Sequence, residues 1–262
     1  MKKLLSIFLI LVCGSLFAAD DYDAKRKQIT EKYGSIKPTQ FGMYLPGVKT
    51  KIRTKEKIMA LTFDGCGGSG GKGFDRELIQ YLSDNKVPAT LFVTTSWIGY
   101  NKENFRELLK NSNFDIQNHG YSHRPGTVRG QEVWKIKGTA SAGECFDEFE
   151  KSARAFAEIA GRRPIFYRPG TAYFDEVGIQ ILAETGQLPM NFSGVIGDAD
   201  KALSLATVEK FIRQNVQPGA VLIMHFNHPG GKTFKAVRDM IPQLKKEGYT
   251  FVKLVDYRDA LE

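Results

Sequence analysis

The sequence predicts an α/β fold in which about seven parallel strands form a closed or nearly closed barrel. Three observations predict it. Short apolar runs alternate with apolar positions at helical spacing from Ile58 to Leu254, which is the rhythm of βαβ units around a parallel sheet. Seven repeats suit a barrel better than a small open sheet, with an open, doubly wound sheet as the structural alternative. The length of 262 residues is normal for a single α/β barrel, and 42% hydrophobic against 25% charged residues supplies one full core.

The strands and helices follow in order. Ile58-Met-Ala-Leu-Thr-Phe63 is the first strand, and a glycine-rich loop runs on to Gly73. Leu78, Ile79 and Leu82 mark a helix, and Ala89 to Val93, preceded by Pro88, is the second strand. Phe105, Leu108 and Leu109 mark a helix, and Phe114 to Gln117 is the third strand. A long helix over Ala140 to Ala160 carries Phe146, Phe149, Ala153 and Phe156 on one face. Ile165 to Tyr167 is the fourth strand, and Val177, Ile179, Ile181 and Leu182 lie in the next helix. Leu188 to Phe192 is the fifth strand, followed by a helix with Val208, Phe211 and Ile212. Val221 to Met224 is the sixth strand, Val237, Ile241 and Leu244 mark a helix, and Tyr249 to Leu254 is the seventh strand.

Residues 1–18 read as a secretory leader. Lys2 and Lys3 form a basic start, Leu4 to Val12 is an apolar run, and Ala18 and Ala19 offer a small-residue cleavage site. The run is too short to span a bilayer as an ordinary helix. An uncleaved anchor is the alternative. A lipoprotein signal at Cys13 is disfavoured, because Val12 stands where a small residue is expected. The expected location is therefore outside the cytoplasm, in the periplasm or cell envelope, with no stable membrane span after cleavage. Residues 19–56 are polar and broken by Gly42, Pro46 and Gly47, and they read as an extension lying on a single domain over 57–262.

Loss of Lys2 and Lys3 lowers the 37 basic residues to 35 against 29 acidic ones, a net charge of +6. A basic exported protein is drawn to anionic envelope polymers or membrane surfaces. No basic run is interleaved with aromatics, which argues against nucleic acid. Beyond Cys13 the chain holds Cys66 and Cys145. An oxidising compartment permits them to form one disulfide, and the sequence leaves open whether they meet.

The chemistry gathers after the strands. Asp64 follows the first, His119 and His123 the third, Arg168 the fourth and His225 the sixth. Loops after parallel strands share one face, which is where barrel active sites lie. Scattered structural residues would fall equally at the opposite strand ends. His119 and His123 stand four apart, a spacing that lets both imidazoles turn toward one metal ion of the zinc class.

These residues also carry a resemblance. Leu61–Gly68 (LTFDGCGG), Asn118–His123 (NHGYSH), Phe166–Thr171 (FYRPGT) and Val221–His225 (VLIMH) resemble, in order, the motifs of the polysaccharide deacetylase family, the NodB homology domain of carbohydrate esterase family four. The first motif resembles that of an exported subgroup. The resemblance covers about Phe41 to Leu254 and implies a distorted (β/α) barrel. It further implies a metal-dependent hydrolase that removes N-acetyl groups from glycans, with zinc the expected divalent ion. Peptidoglycan or another N-acetylglucosamine polymer is the expected substrate. Other hydrolases of acetyl esters or cyclic amides, and a silent glycan-binding protein, are the alternatives. Retention of Asp64, Arg168 and His225 argues against silence.

Residue by residue, the resemblance makes Asp64 the general base, Arg168 its orienting partner, His119 and His123 metal ligands and His225 the general acid. Asp198 is the acidic partner of His225, with Asp200 a close competitor. Thr171 matches a position whose backbone N–H faces the oxyanion. The pattern breaks once: the family's second aspartate, a metal ligand, is here Gly65. Water, Asp175, Asp64 or Cys66 could fill the gap. His228 reads as a cleft-rim residue, Trp97 as core, and Trp134 as a residue that could stack on a sugar ring.

Overall fold

The computed structural model describes residues 13–262, with side chains from Asp21 onward. Residues 1–12, which hold most of the expected leader, lie outside them. The chain runs through α1 (Cys13–Tyr33), β1 (Phe41–Gly42), β2 (Ile58–Gly65), α2 (Arg76–Asp84), β3 (Ala89–Val93), α3 (Thr95–Tyr100), α4 (Lys102–Lys110) and β4 (Phe114–Asn118). It continues through β5 (Glu132–Val133), β6 (Ile136–Lys137), α5 (Ala142–Ala160), β7 (Phe166–Tyr167), β8 (Phe174–Asp175), α6 (Glu176–Glu184), β9 (Leu188–Pro189) and β10 (Gly194–Val195). It ends with α7 (Leu205–Gln214), β11 (Ala220–His225), α8 (Lys232–Lys246), β12 (Thr250–Val252) and a 3-10 turn, Leu254–Ala260.

The main sheet has the order β10-β11-β2-β3-β4-β7-β9, with β12 also on β2. Every pairing in it is parallel. This is the expected distorted (β/α) barrel, curled into a half-barrel. Among the described residues no ladder joins its edges, β9 and β10. Strand β2 is buried along its whole length, as a central parallel strand covered on both faces must be. Its side chains alternate between two cores. Met59, Leu61 and Phe63 join the outer layer under α2, α7 and α8. Ile58 and Ala60 join the inner core with Phe92, Phe166, Val221 and Leu254. Asp64 continues the inward set, which aims its carboxylate into the mouth of the half-barrel.

Two expectations need correction, and the extension has a further role. The fifth strand, expected over Leu188 to Phe192, is only β9. Past Pro189 the chain peels away: the Asn191 N–H bonds to the Lys49 carbonyl at 2.8 Å, and the short β10 then pairs with β11. The extension contains a long helix, α1, that its polar sequence does not announce. It seats Ile29 and Tyr33 in a third core with Phe146, Phe149 and Phe174, and ion pairs supply much of the remaining contact. Finally, residues 49–52 lie across the open seam. Lys49 bridges to Met190, and the Ile52 N–H bonds to Gly219 beside β11 at 2.9 Å.

Candidate active site

Asp64 is the penultimate residue of β2 and His225 ends β11, and the two are direct register partners on adjacent strands. Asp64 is 2% exposed, and its Oδ1 accepts a 2.7 Å hydrogen bond from Arg168 Nη1. Burial alone would raise this carboxyl's pKa, but the nearby positive charges of Arg168, His119 and His225 hold it below the usual carboxylate range. Arg168 is fully buried. Its remaining donors go to the Met190 and Asn191 carbonyls at 3.2 and 2.9 Å. Its guanidinium carbon stands 4.1 Å from the centre of the Phe92 ring. The arginine is fixed in rotamer and so is the carboxylate it holds.

His225 Nδ1 lies 3.1 Å from Asp198 Oδ1, and Asp198 Oδ2 accepts from the His225 backbone N–H and from Thr233 Oγ1, both at 2.7 Å. Burial alone would lower the imidazole's pKa, yet the Asp198 carboxylate raises it well above that of a free histidine. The competitor, Asp200, is instead spent on its own turn, accepting the Ala202 N–H at 2.8 Å. The partner of His225 is therefore Asp198.

His119 follows β4 and is 1% exposed. Its Nδ1 lies 2.9 Å from the Arg168 carbonyl. A carbonyl can only accept, so Nδ1 carries a proton, which leaves Nε2 as the nitrogen that would bind a metal ion once it is unprotonated. His123 adopts a left-handed backbone, φ +61°. Its Nε2 is buried with no hydrogen-bond partner among the described residues. Gly170 makes this possible, since a Cβ there would stand 2.4 Å from His123 Cγ. Glu148 of α5, 3% exposed, braces the turn by accepting the Ser122 N–H at 2.8 Å and the Arg124 N–H at 3.3 Å. Sequence reasoning missed Glu148, because a carboxylate among the phenylalanines of an amphipathic helix reads as a surface charge.

The Cys66 Sγ is 3.7 Å from His119 Nε2, and the donor atoms of Cys66, His119 and His123 all lie within 4.8 Å of one another. Burial pushes this thiol's pKa up, but the His123, His119 and His225 imidazoles bring it well below that of an ordinary thiol. Cys66 and Cys145 are both free, so the disulfide left open by the sequence is not formed. Asp175 is also settled: it caps α6 at the Gly178 N–H and accepts from Val128, so it is no ligand. An orphaned buried imidazole nitrogen, an oriented second imidazole and an adjacent thiol are a donor set that fits a zinc-class ion.

These groups face a cleft of about 630 Å³ whose walls include Phe192, Thr171 and Trp134. Trp134 is 69% exposed at the β5–β6 turn and stands edge-on to Tyr173, whereas Trp97 is fully buried, as expected. A second cleft of about 810 Å³ adjoins it past Asp198 and His228 and is lined by Lys72, Lys201, Lys232 and Lys235.

The profile of the polysaccharide deacetylase family matches residues 51–189. The chain belongs to this family. Membership makes it a hydrolase acting on carbon–nitrogen bonds. The chain is 24% identical over 207 residues to a peptidoglycan-N-acetylglucosamine deacetylase of Bacillus cereus, covering 78% of this chain and 90% of that one. It is 24% identical over 208 residues to the peptidoglycan-N-acetylmuramic acid deacetylase PdaA of Bacillus subtilis, covering 78% and 72%. Among solved structures it is similar to a carbohydrate esterase family four pseudoenzyme of Bacillus anthracis, with a TM-score of 0.67, 19% identity and coverage of 82% and 69%.

Proposed function

We propose that the protein is an exported, metal-dependent deacetylase that removes N-acetyl groups from peptidoglycan or another N-acetylglucosamine polymer. The observation that carries this is the pairing of Asp64 with Arg168 beside the pairing of His225 with Asp198, both opening on one cleft. Amide hydrolysis needs both halves: a base that takes a proton from the attacking water, and an acid that gives one to an amine unable to leave as an anion. Arg168 keeps Asp64 ionised and aimed. The Asp198 carboxylate favours the protonated form of His225, with the proton to be given on Nε2. His119 and His123 would hold a divalent ion, which would supply Lewis-acid polarisation to the reaction. Thr171 lines the same cleft, and its backbone N–H is the proposed donor to the developing oxyanion.

Peptidoglycan is favoured by the names of the relatives, by the basic groove beside the site and by the leader-like first 18 residues. Among the described residues no helix is long and apolar enough to cross a membrane. The test is acetate release from N-acetylglucosamine oligomers and from purified peptidoglycan, with zinc or cobalt present. No release from any acetylated glycan by metal-loaded protein would refute the proposal. Export is checked separately by N-terminal sequencing of the protein in the envelope fraction, which is expected to begin at Ala19 or Asp20.

A further inference from the structure

Resting on the metal-dependent deacetylase proposed above, we infer that the Cys66 thiolate is the third protein ligand of the metal centre, in place of the aspartate that the family carries at the position of Gly65. The alternation of β2 is the first ground. Residue 65 faces the outer layer, where a Cβ would stand 2.9 Å from Phe226 Cε1 and 3.3 Å from Trp97 Cδ2. Both rings are fully buried and packed together at 5.0 Å between centres. A carboxylate has no room there. Residue 66 turns inward on the same side as Asp64, and its thiol lines the cleft with Asp64, His123 and His225.

The second ground is distance. Zinc bonds of about 2.0–2.1 Å to nitrogen and 2.3 Å to sulfur put tetrahedral neighbours about 3.6 Å apart. Cys66 Sγ and His119 Nε2 already stand 3.7 Å apart, and the His123 donor closes the triangle within 4.8 Å. The third ground is donor chemistry. His119 Nδ1 is held by the Arg168 carbonyl, so Nε2 is the nitrogen turned toward the sulfur, and His123 Nε2 has no partner among the described residues. Binding would displace the thiol proton to solvent and leave three protein ligands with an open position, the pattern of a catalytic zinc site. A thiolate in that set favours zinc or cobalt over magnesium, manganese or calcium.

The rival role for Cys66 is a nucleophile activated by His225, and the test separates the two. Cobalt(II) is added to the purified metal-free protein and to Cys66→Ser. The wild type is expected to develop a near-ultraviolet thiolate-to-cobalt charge-transfer band that the variant lacks. The zinc Kd of the variant is expected to rise more than about 100-fold, beyond the roughly 10–100-fold cost of losing a supporting residue. Zinc should also protect Cys66 from iodoacetamide in the wild type, read at that residue by peptide mapping, and this arm decides the matter even if the variant folds poorly. Cobalt binding without the band, an unchanged Kd in a folded variant, or metal-free turnover through a trapped acetyl thioester on Cys66 would overturn the assignment. A protein that shows the band yet releases no acetate keeps the ligand and loses the proposed function. Metal-dependent acetate release without the band does the reverse.

Discussion

At the scale of single residues, the two ion pairs of the site make different demands. Asp64→Asn keeps the shape of the proposed base but removes its basicity, so acetate release should fall about 10²- to 10⁴-fold. It also strands the fully buried Arg168 without a counter-charge, so the melting temperature should fall with it. A variant that kept more than a tenth of wild-type turnover would remove Asp64 from the proposed base role. Asp198→Asn tests the acid. The Asp198 charge holds the His225 pKa well above that of a free histidine, so the proton to be donated is retained as pH rises. Without that charge His225 loses its proton at lower pH, and the alkaline limb of the kcat profile should move to lower pH. An unmoved alkaline limb would sink the proposed acid role. Asp64 and His225 were legible because each stands at the carboxyl end of a recognisable strand. The choice of Asp198 over Asp200 was not, since it depends on which carboxylate the loop after β10 turns toward His225. Nor was the part played by Cys66, which depends on Phe226 and Trp97 filling the space beside Gly65.

At the scale of elements, legibility followed length. The four long inner strands, β2, β3, β4 and β11, are five to eight residues long, and the sequence places each to within two residues at each end, from apolar runs in β2, β3 and β11 and from the alternating Phe114 and Ile116 in β4. The two-residue strands β5, β6 and β10 carry no period of their own and exist only through their partners. Helix α5 was legible from its phenylalanine face, but that face also holds Glu148, which forms the floor of the His119–His123 turn. Glu148→Gln replaces one accepting oxygen by an N–H₂ group facing backbone donors. The loss is expected to be about 1–3 kcal/mol of stability, with zinc affinity lowered roughly 10- to 100-fold because the His123 backbone loses its brace. Thermal melts and zinc titration read the two effects separately. Unchanged zinc affinity in a destabilised protein would make Glu148 structural only.

At the scale of the whole molecule, the half-barrel is held by parts outside the regular β/α repeat. Residues 49–52 lie over its seam, and α1 lies against α5 and α6 on its flank. Helix α1 was illegible because its sequence beyond Ala19 has no apolar stripe: among its described side chains only Ile29 and Tyr33 are buried, and several polar groups bond to the domain. Tyr22 and Arg26 bond to Asp147. Lys25, Lys32 and the Tyr33 hydroxyl converge on Glu184, at 2.8, 2.5 and 3.1 Å. The lysines hold the Glu184 carboxyl down to about 2, from 4.5. A carboxyl whose folded pKa is depressed contributes stability that is fully present above its unfolded pKa and is lost as pH falls through the folded one. The window here runs from about pH 4.5 down to about 2. The lysine ends remain partly in water, so solvent screening reduces the contribution to about 1 kcal/mol, or roughly 2–4 °C in melting temperature for a chain of this size. Glu184→Gln should therefore melt about that much lower than wild type at pH 6, and the gap should narrow as both are taken toward pH 3. Proteolysis at low pH should begin at α1 rather than in the barrel, because among its described side chains only Ile29 and Tyr33 are buried, whereas the barrel strands are buried in two apolar cores. A gap that stayed constant between pH 6 and pH 3 would show that Glu184 holds α1 by packing and not by charge.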